Sequence, residues 1–170
     1  MDKPCPKGRQ YVSIRSYGIF LLFCVLAITC NSISAQAEDT DGRFAIGLNW
    51  PGVSVKYGLS SSFALEARYQ NESNINVMGP RLYYVVKGLD KLNLLAGVEL
   101  DYVTFTGDVS KGTGYAGEIF IGAEYFINRS LSFQLDLGPA YISLADQATP
   151  ETIDGMDLVA NIGINYYFGK

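Results

Sequence analysis

Residues 159–170 read Val159-Ala160-Asn161-Ile162-Gly163-Ile164-Asn165-Tyr166-Tyr167-Phe168-Gly169-Lys170. Asn161, Gly163 and Asn165 take one set of alternate positions, and Ile162, Ile164, Tyr166 and Phe168 take the other. Successive side chains of an extended strand point to opposite faces. The spacing therefore predicts a strand with a small polar face and an apolar face whose outermost members are aromatic. Such a strand must pair on both sides, because an open edge leaves a row of backbone donors and acceptors unused.

The same period of two recurs upstream. Phe44, Ile46, Leu48 and Trp50 alternate with Arg43, Ala45, Gly47 and Asn49. Val53, Val55, Tyr57 and Leu59 alternate with Ser54, Lys56 and Gly58, and Phe63, Leu65, Ala67 and Tyr69 with Ala64, Glu66 and Arg68. Met78, Leu82, Tyr84 and Val86 alternate with Arg81, Tyr83, Val85 and Lys87. Three further segments, centred on Val98, Ile121 and Leu135, place Glu99 and Asp101, then Glu118 and Glu124, then Gln134 and Asp136 opposite aliphatic residues. With the closing segment this predicts eight strands. Short turns are expected at 60–62, 87–91 and 128–130, and longer loops at 70–77, 105–114 and 143–155. Trp50-Pro51-Gly52-Val53 reads as a tight turn among the long loops. Short turns at one rim and longer loops at the other suit an antiparallel up-and-down barrel.

Eight alternating strands also describe a soluble lipocalin-like barrel that binds an apolar ligand, with the apolar face inward. Two features favour the opposite orientation, with the apolar face toward lipid. Aromatics stand at strand ends on that face: Trp50, Tyr69, Tyr102 and Tyr141 toward one rim, and Tyr57, Tyr84, Tyr125, Tyr166 and Phe168 toward the other. Two such belts are expected where amphipathic rings meet the two membrane interfaces. The polar face also holds Gly47, Gly58, Gly97, Gly122, Gly138 and Gly163. Glycine weakens a solvent-facing strand but relieves crowding in a narrow lumen. The direction of Leu135, Ile162 and Ile164 discriminates the two barrels.

On the polar face lie Arg43, Lys56, Arg68, Arg81 and Lys87, with Glu66, Glu99, Asp101, Glu118, Glu124 and Asp136. An eight-stranded barrel is only wide enough for side chains to fill. An unpaired buried charge is costly, so these groups are expected to pair into a salt-bridged, largely closed lumen. A narrow pore for ions or small solutes is the alternative.

The amino-terminal region differs in kind. Lys3, Lys7, Arg9 and Arg15 precede an apolar run from Gly18 to Ile28, and Ala35-Gln36-Ala37 follows. The three parts read as a secretory signal peptide over 1–37, with 38–42 as a short arm and 43–170 as the barrel. The run is short for a membrane-spanning helix. Cys5, Cys24 and Cys30 all fall inside 1–37, so the remainder has neither a disulfide framework nor a cysteine metal site. Removing the net +3 of residues 1–37 takes the formal charge from −4 to −7. That balance argues against a nucleic-acid partner. No calcium-loop motif occurs, and no cofactor is expected.

Asn161-x-Gly163-x-x-Tyr166-x-Phe168 resembles the carboxy-terminal assembly signal of outer-membrane β-barrel proteins, except that Gly169 and Lys170 follow the aromatic that ends the family's pattern. Together with the signal peptide and eight strands, the chain resembles the small outer-membrane barrels of the OmpA, OmpX and opacity-protein type. The resemblance implies an eight-stranded antiparallel transmembrane β-barrel in the cell outer membrane. It also implies contact with outer-membrane lipid, and periplasmic chaperones and the barrel-assembly machinery as partners during biogenesis. Enzymes among outer-membrane barrels rely on a histidine, and this sequence has none. Carboxylate pairs such as Glu99/Asp101 and Glu118/Glu124 can run glycoside hydrolysis, but a barrel this small offers little room for a sugar chain and inward basic residues are available to pair with them, so no catalysis is expected. A structural or surface-interaction role is expected. Glu72, Asp108, Asp146, Glu151, Asp154 and Asp157 against Lys111 make the long loops acidic, without naming a surface ligand.

Overall fold

The computed structural model describes residues 38–107, 111–147 and 152–169. The segment read as a signal peptide and the loop acids Asp108 and Glu151 lie outside the described residues. Eight strands follow in order: β1 Phe44–Asn49, β2 Gly52–Gly58, β3 Phe63–Glu72, β4 Ile75–Leu89, β5 Leu92–Thr106, β6 Lys111–Asn128, β7 Leu131–Asp146 and β8 Thr152–Phe168. Each pairs antiparallel with its neighbours in sequence, and β8 returns to β1 to close the ring. The closing register runs from Phe44 opposite Phe168 to Asn49 opposite Gly163. Closure removes the edges of both strands over that length.

The alternation read from the sequence is the alternation of the wall. β1 and β2 switch between exposed and buried at every residue, as does the lower half of β8. Ile162 and Ile164 point out of the barrel, 57 % and 39 % exposed, and Leu135 is flanked by the buried Gln134 and Asp136. The apolar face is therefore the outer one. The soluble lipocalin-like reading is corrected on this point, because its ligand cavity would need these aliphatics inside.

The long-loop rim differs from expectation. Residues 70–77 are not an open loop: β3 and β4 continue to Glu72 and Ile75 and meet at Ser73 and Asn74, with φ of 46° and 71°. Two residues at positive φ match the twist of a tight hairpin, and asparagine tolerates that region better than most residues. The strands of the other two hairpins likewise extend to Thr106 and Lys111, and to Asp146 and Thr152. Side-chain polarity loses its period of two there while the backbone ladder continues, so pattern alone ends these strands too early.

A second correction concerns Lys87. The β4–β5 register shifts between Val85 and Lys87, where Val85 opposes Leu95 and Lys87 opposes Leu94. The extra residue of a bulge resets which side chain faces which way. Val85 packs inward, and Val86 and Lys87 are both exposed. Four aromatics also lie inside the ring: Tyr83 and Phe120 pack with Ala64 and Leu95, and Phe126 and Tyr167 with Ala45. Gly97 makes room for one of them, since a Cβ there would lie 2.3 Å from Phe120 Cζ.

Candidate functional site: a charged barrel interior

Cross-strand register brings the interior charges into a row. Lys56 opposes Glu66, Glu66 opposes Arg81, Arg81 opposes Glu99, and Glu99 opposes Glu118. Arg43, Lys56, Glu66, Arg68, Arg81, Glu99, Glu118, Glu124 and Asp136 are all buried. Asp101 faces the same side but is half-buried and joins no ion pair among the described residues. With Lys87 outside, four basic groups meet six acidic ones, which is more acidic than the near-balance expected from the pattern.

Arg81 organises the upper part. Its NH1 and NH2 donate to Asp136 Oδ2 and Oδ1 at 3.3 and 2.9 Å, a two-pronged contact across the interior. Its Nε lies 2.9 Å from Glu99 Oε2, and NH2 lies 3.6 Å from Glu118 Oε2. One planar guanidinium thus serves three carboxylates, which a point-like ammonium does poorly. Arg68 NH2 supplies a second cation to Glu99 at 2.5 Å. Phe120 lies 4.0 Å from the Arg81 guanidinium carbon, ring centroid to Cζ, so the cation is also covered by an aromatic face.

Lys56 organises the middle. Its Nζ donates to Gln134 Oε1 at 2.5 Å and lies 3.4 Å from Glu124 Oε2. The other oxygen of Glu124 accepts from Ser132 Oγ at 2.6 Å, Tyr167 OH at 2.8 Å and Asn165 Nδ2 at 2.9 Å. Among the described residues, Glu66 has no cation within ion-pair reach. It accepts instead from the Tyr83 hydroxyl and, at 3.1 Å, from Asn49 Nδ2. Neutral donors therefore satisfy much of the acid excess, as buried carboxylates require.

The arm that precedes β1 lies against the lower end of the barrel. Thr40 is buried, Gly42 N–H donates to Gly58 O, and Glu38 O accepts from Asn93 Nδ2 at 3.3 Å. Arg43 pairs with Glu38 at 3.5 Å, donates to the Arg129 carbonyl and stands over the Tyr167 ring. Among the described residues, no cluster of three acidic side chains is placed to hold a metal ion.

The sequence reading placed Tyr83 on the Arg81 face but missed Phe120, Phe126 and Tyr167 as interior groups, and also Gln134 as a partner of Lys56. The signal was present in the doublets Tyr83-Tyr84 and Tyr166-Tyr167, since adjacent strand residues cannot share a face. The expected belt residues all point outward, from Tyr57 at 36 % exposed to Trp50 at 81 %. Phe44, Phe63 and Tyr115 join them, with Phe44 tilted against Tyr57 and Phe63 against Tyr84 at the lower end, and Tyr102 beside Tyr115 above. Asn161 and Gly163 are buried inward, while Tyr166 and Phe168 point out and touch edge to face.

An aliphatic and aromatic exterior around an ion-paired interior, in a closed ring of eight antiparallel strands, defines an inverted-polarity up-and-down β-barrel. The N-terminal β-barrel domain of Pseudomonas aeruginosa OprF has this fold: it superposes with a TM-score of 0.53 at 14% sequence identity, over 74% of this chain and 94% of that one. At that identity the likeness is one of fold. No family model matches the chain, and no curated protein matches it.

Proposed function

We propose that the chain is an integral barrel of an outer membrane, with a structural or surface-interaction role and a closed, non-catalytic interior. One observation carries the reading: the polarity of the wall is inverted. Ile46, Leu48, Val55, Ile119 and Ile121 are more than half exposed, while nine charged side chains are buried. A water-soluble monomer rarely exposes apolar surface on this scale, whereas lipid is a good solvent for it. Outer-membrane lipid is then the main partner. β8 is the strand that periplasmic chaperones and the barrel-assembly machinery would handle, through Asn161, Gly163, Tyr166 and Phe168. The interior supports a closed barrel because its charged groups bond to each other and leave aromatic rings between them.

Fractionation of a Gram-negative host expressing the full chain tests the location. The protein is expected in the outer-membrane fraction, migrating faster on gels before heating than after. Recovery in the soluble periplasmic fraction would remove the membrane reading. Planar-bilayer recording tests the interior: the purified barrel is expected to give no sustained single-channel steps, and stable steps would replace the closed lumen with a narrow pore.

A further inference from the structure

The wall of the barrel is uneven. β1 and β2 are the shortest strands, and their hairpin turns at Trp50 and Pro51. Above that turn the wall has a notch, bounded at its base by Ile162 of β8 on one side and by Asn71, Glu72 and Ser73 on the other. β8 pairs with β1 only as far as Gly163, with one further bond from Trp50 N–H to Ile162 O at 3.1 Å. Above that point β8 runs on to Thr152 with β7 as its neighbour and no strand partner on the notch side among the described residues.

Register fixes what this edge offers. Tyr167 N–H donates to Ser130 O on the β7 side at 2.7 Å, while Ile162 O accepts on the β1 side. The β7–β8 ladder runs without a shift from Leu131 opposite Tyr166 to Ala145 opposite Thr152. Alternate residues of a strand turn their N–H and C=O to the same side. Odd-numbered residues of β8 therefore bond to β7, and Asp154, Met156, Leu158 and Ala160 turn both backbone groups to the notch. Among the described residues one of these groups is taken, the Leu158 N–H, which donates to Asp157 Oδ1 at 2.8 Å. Such a row of donors and acceptors is a template for another strand.

We propose that the upper edge of β8 takes up an extended segment of a basic partner protein as an added antiparallel strand. The inference deepens the surface-interaction reading above and rests on it. Two features select this occupant. The edge alternates donors with acceptors along its length, which a peptide backbone matches and a lipid head does not. The side chains around it are acidic and apolar. Asp154 and Asp157 are exposed on the strand and Glu72 lies across the notch, while Met156 and Leu158 are 69 % and 66 % exposed. Side chains directly opposite across a ladder interact in pairs. The added strand therefore carries basic residues opposite Asp154 and Asp157, and apolar ones opposite Met156 and Leu158. A cation opposite Asp157 also draws the carboxylate from the Leu158 N–H and frees that donor. A second copy fits poorly. Two barrels in one membrane share an orientation, so their β8 edges run parallel, and each brings the same acids to the seam.

The peptide Thr-Thr-Val-Lys-Val-Thr-Lys meets these requirements when laid antiparallel from Ala160 to Asp154. Its dye-labelled form is titrated onto the full chain in phosphatidylcholine vesicles and followed by fluorescence anisotropy. Saturable binding is expected. Methylating the two valine nitrogens, which face β8, should abolish it. Methylating the fourth and sixth nitrogens, which face away, should leave it intact. The double variant Asp154→Asn, Asp157→Asn should bind about two- to thirtyfold more weakly, the range for two exposed ion pairs. Both aspartates are exposed, so that variant is expected to keep the heat-dependent gel shift of the folded barrel. Equal losses from the two methylation patterns would overturn the added strand, and unchanged affinity in the double variant would overturn the basic partner. Absence of saturable binding would overturn both and leave the membrane reading to the fractionation result. A disulfide-linked dimer through Gly155→Cys, where a Cβ meets open space, would assign the edge to a second copy instead.

Discussion

Arg81 is a single side chain on which three carboxylates converge, and it is 1 % exposed. Removing it leaves Glu99, Glu118 and Asp136 buried together, and among the described residues Arg68, on Glu99, is the one other cation paired with any of them. Breaking a buried pair from one side costs about 3–5 kcal/mol, most of it the desolvation of the abandoned partner. Arg81→Met is therefore expected to destabilise the folded barrel by about that amount in urea titrations of vesicle-reconstituted protein. An unchanged midpoint would show that the network is ornamental. Adding Asp136→Leu to Arg81→Met should recover part of the loss, because one orphaned carboxylate goes with it. Lys87 makes the contrasting case. The bulge turns it outward, so Lys87→Gln is expected to stay within about 0.5 kcal/mol of the parent. A loss like that of Arg81→Met would put Lys87 back inside the lumen.

At the level of the element, the β3–β4 hairpin depends on two residues in the left-handed region. Ser73 and Asn74 hold φ of 46° and 71°, where a β-branched side chain is strained. Asn74→Val should cost about 1–3 kcal/mol in the same titration. Asn74→Gly should match or exceed the parent, since glycine enters that region freely. If valine proved neutral, the tight turn would be wrong and the segment would be a longer loop. The turn also positions Glu72, the last residue of β3, beside the short β1–β2 hairpin. β8 plays the opposite part. Its lower half is fixed on both sides by β7 and β1, and its upper half, among the described residues, by β7 alone.

For the whole molecule, polarity inversion decides the environment. Ile121 lies on β6 between Tyr115 and Tyr125, which belong to the upper and lower belts, and it is 71 % exposed. A charge placed there faces hydrocarbon if the barrel spans a membrane. Ile121→Arg is expected to lose about 2–4 kcal/mol of folding stability in lipid vesicles, the depth-dependent penalty at mid-membrane. In water the same exposed site would tolerate arginine with little change, so a neutral outcome in vesicles would argue that Ile121 does not meet lipid.

The eight alternations, the outward aromatics and the inward acids were all legible in the sequence, because strand periodicity is a local property that needs no partner to be read. Asn161, Gly163 and Asn165 announced an inward face, and Ile162 and Ile164 an outward one, within a single stretch of chain. What stayed hidden was everything set by register. That Arg81 reaches Asp136 across the interior, that Glu66 is held by Tyr83 and Asn49 rather than by a cation, and that Lys87 leaves the lumen at a bulge all depend on how strands slide past each other. A shift of one residue exchanges the two faces, and the sequence of one strand does not state where its neighbour begins. The notch is the extreme case. It exists because β1 and β2 stop while β8 continues, a mismatch between elements far apart in sequence that appears only when the ring closes.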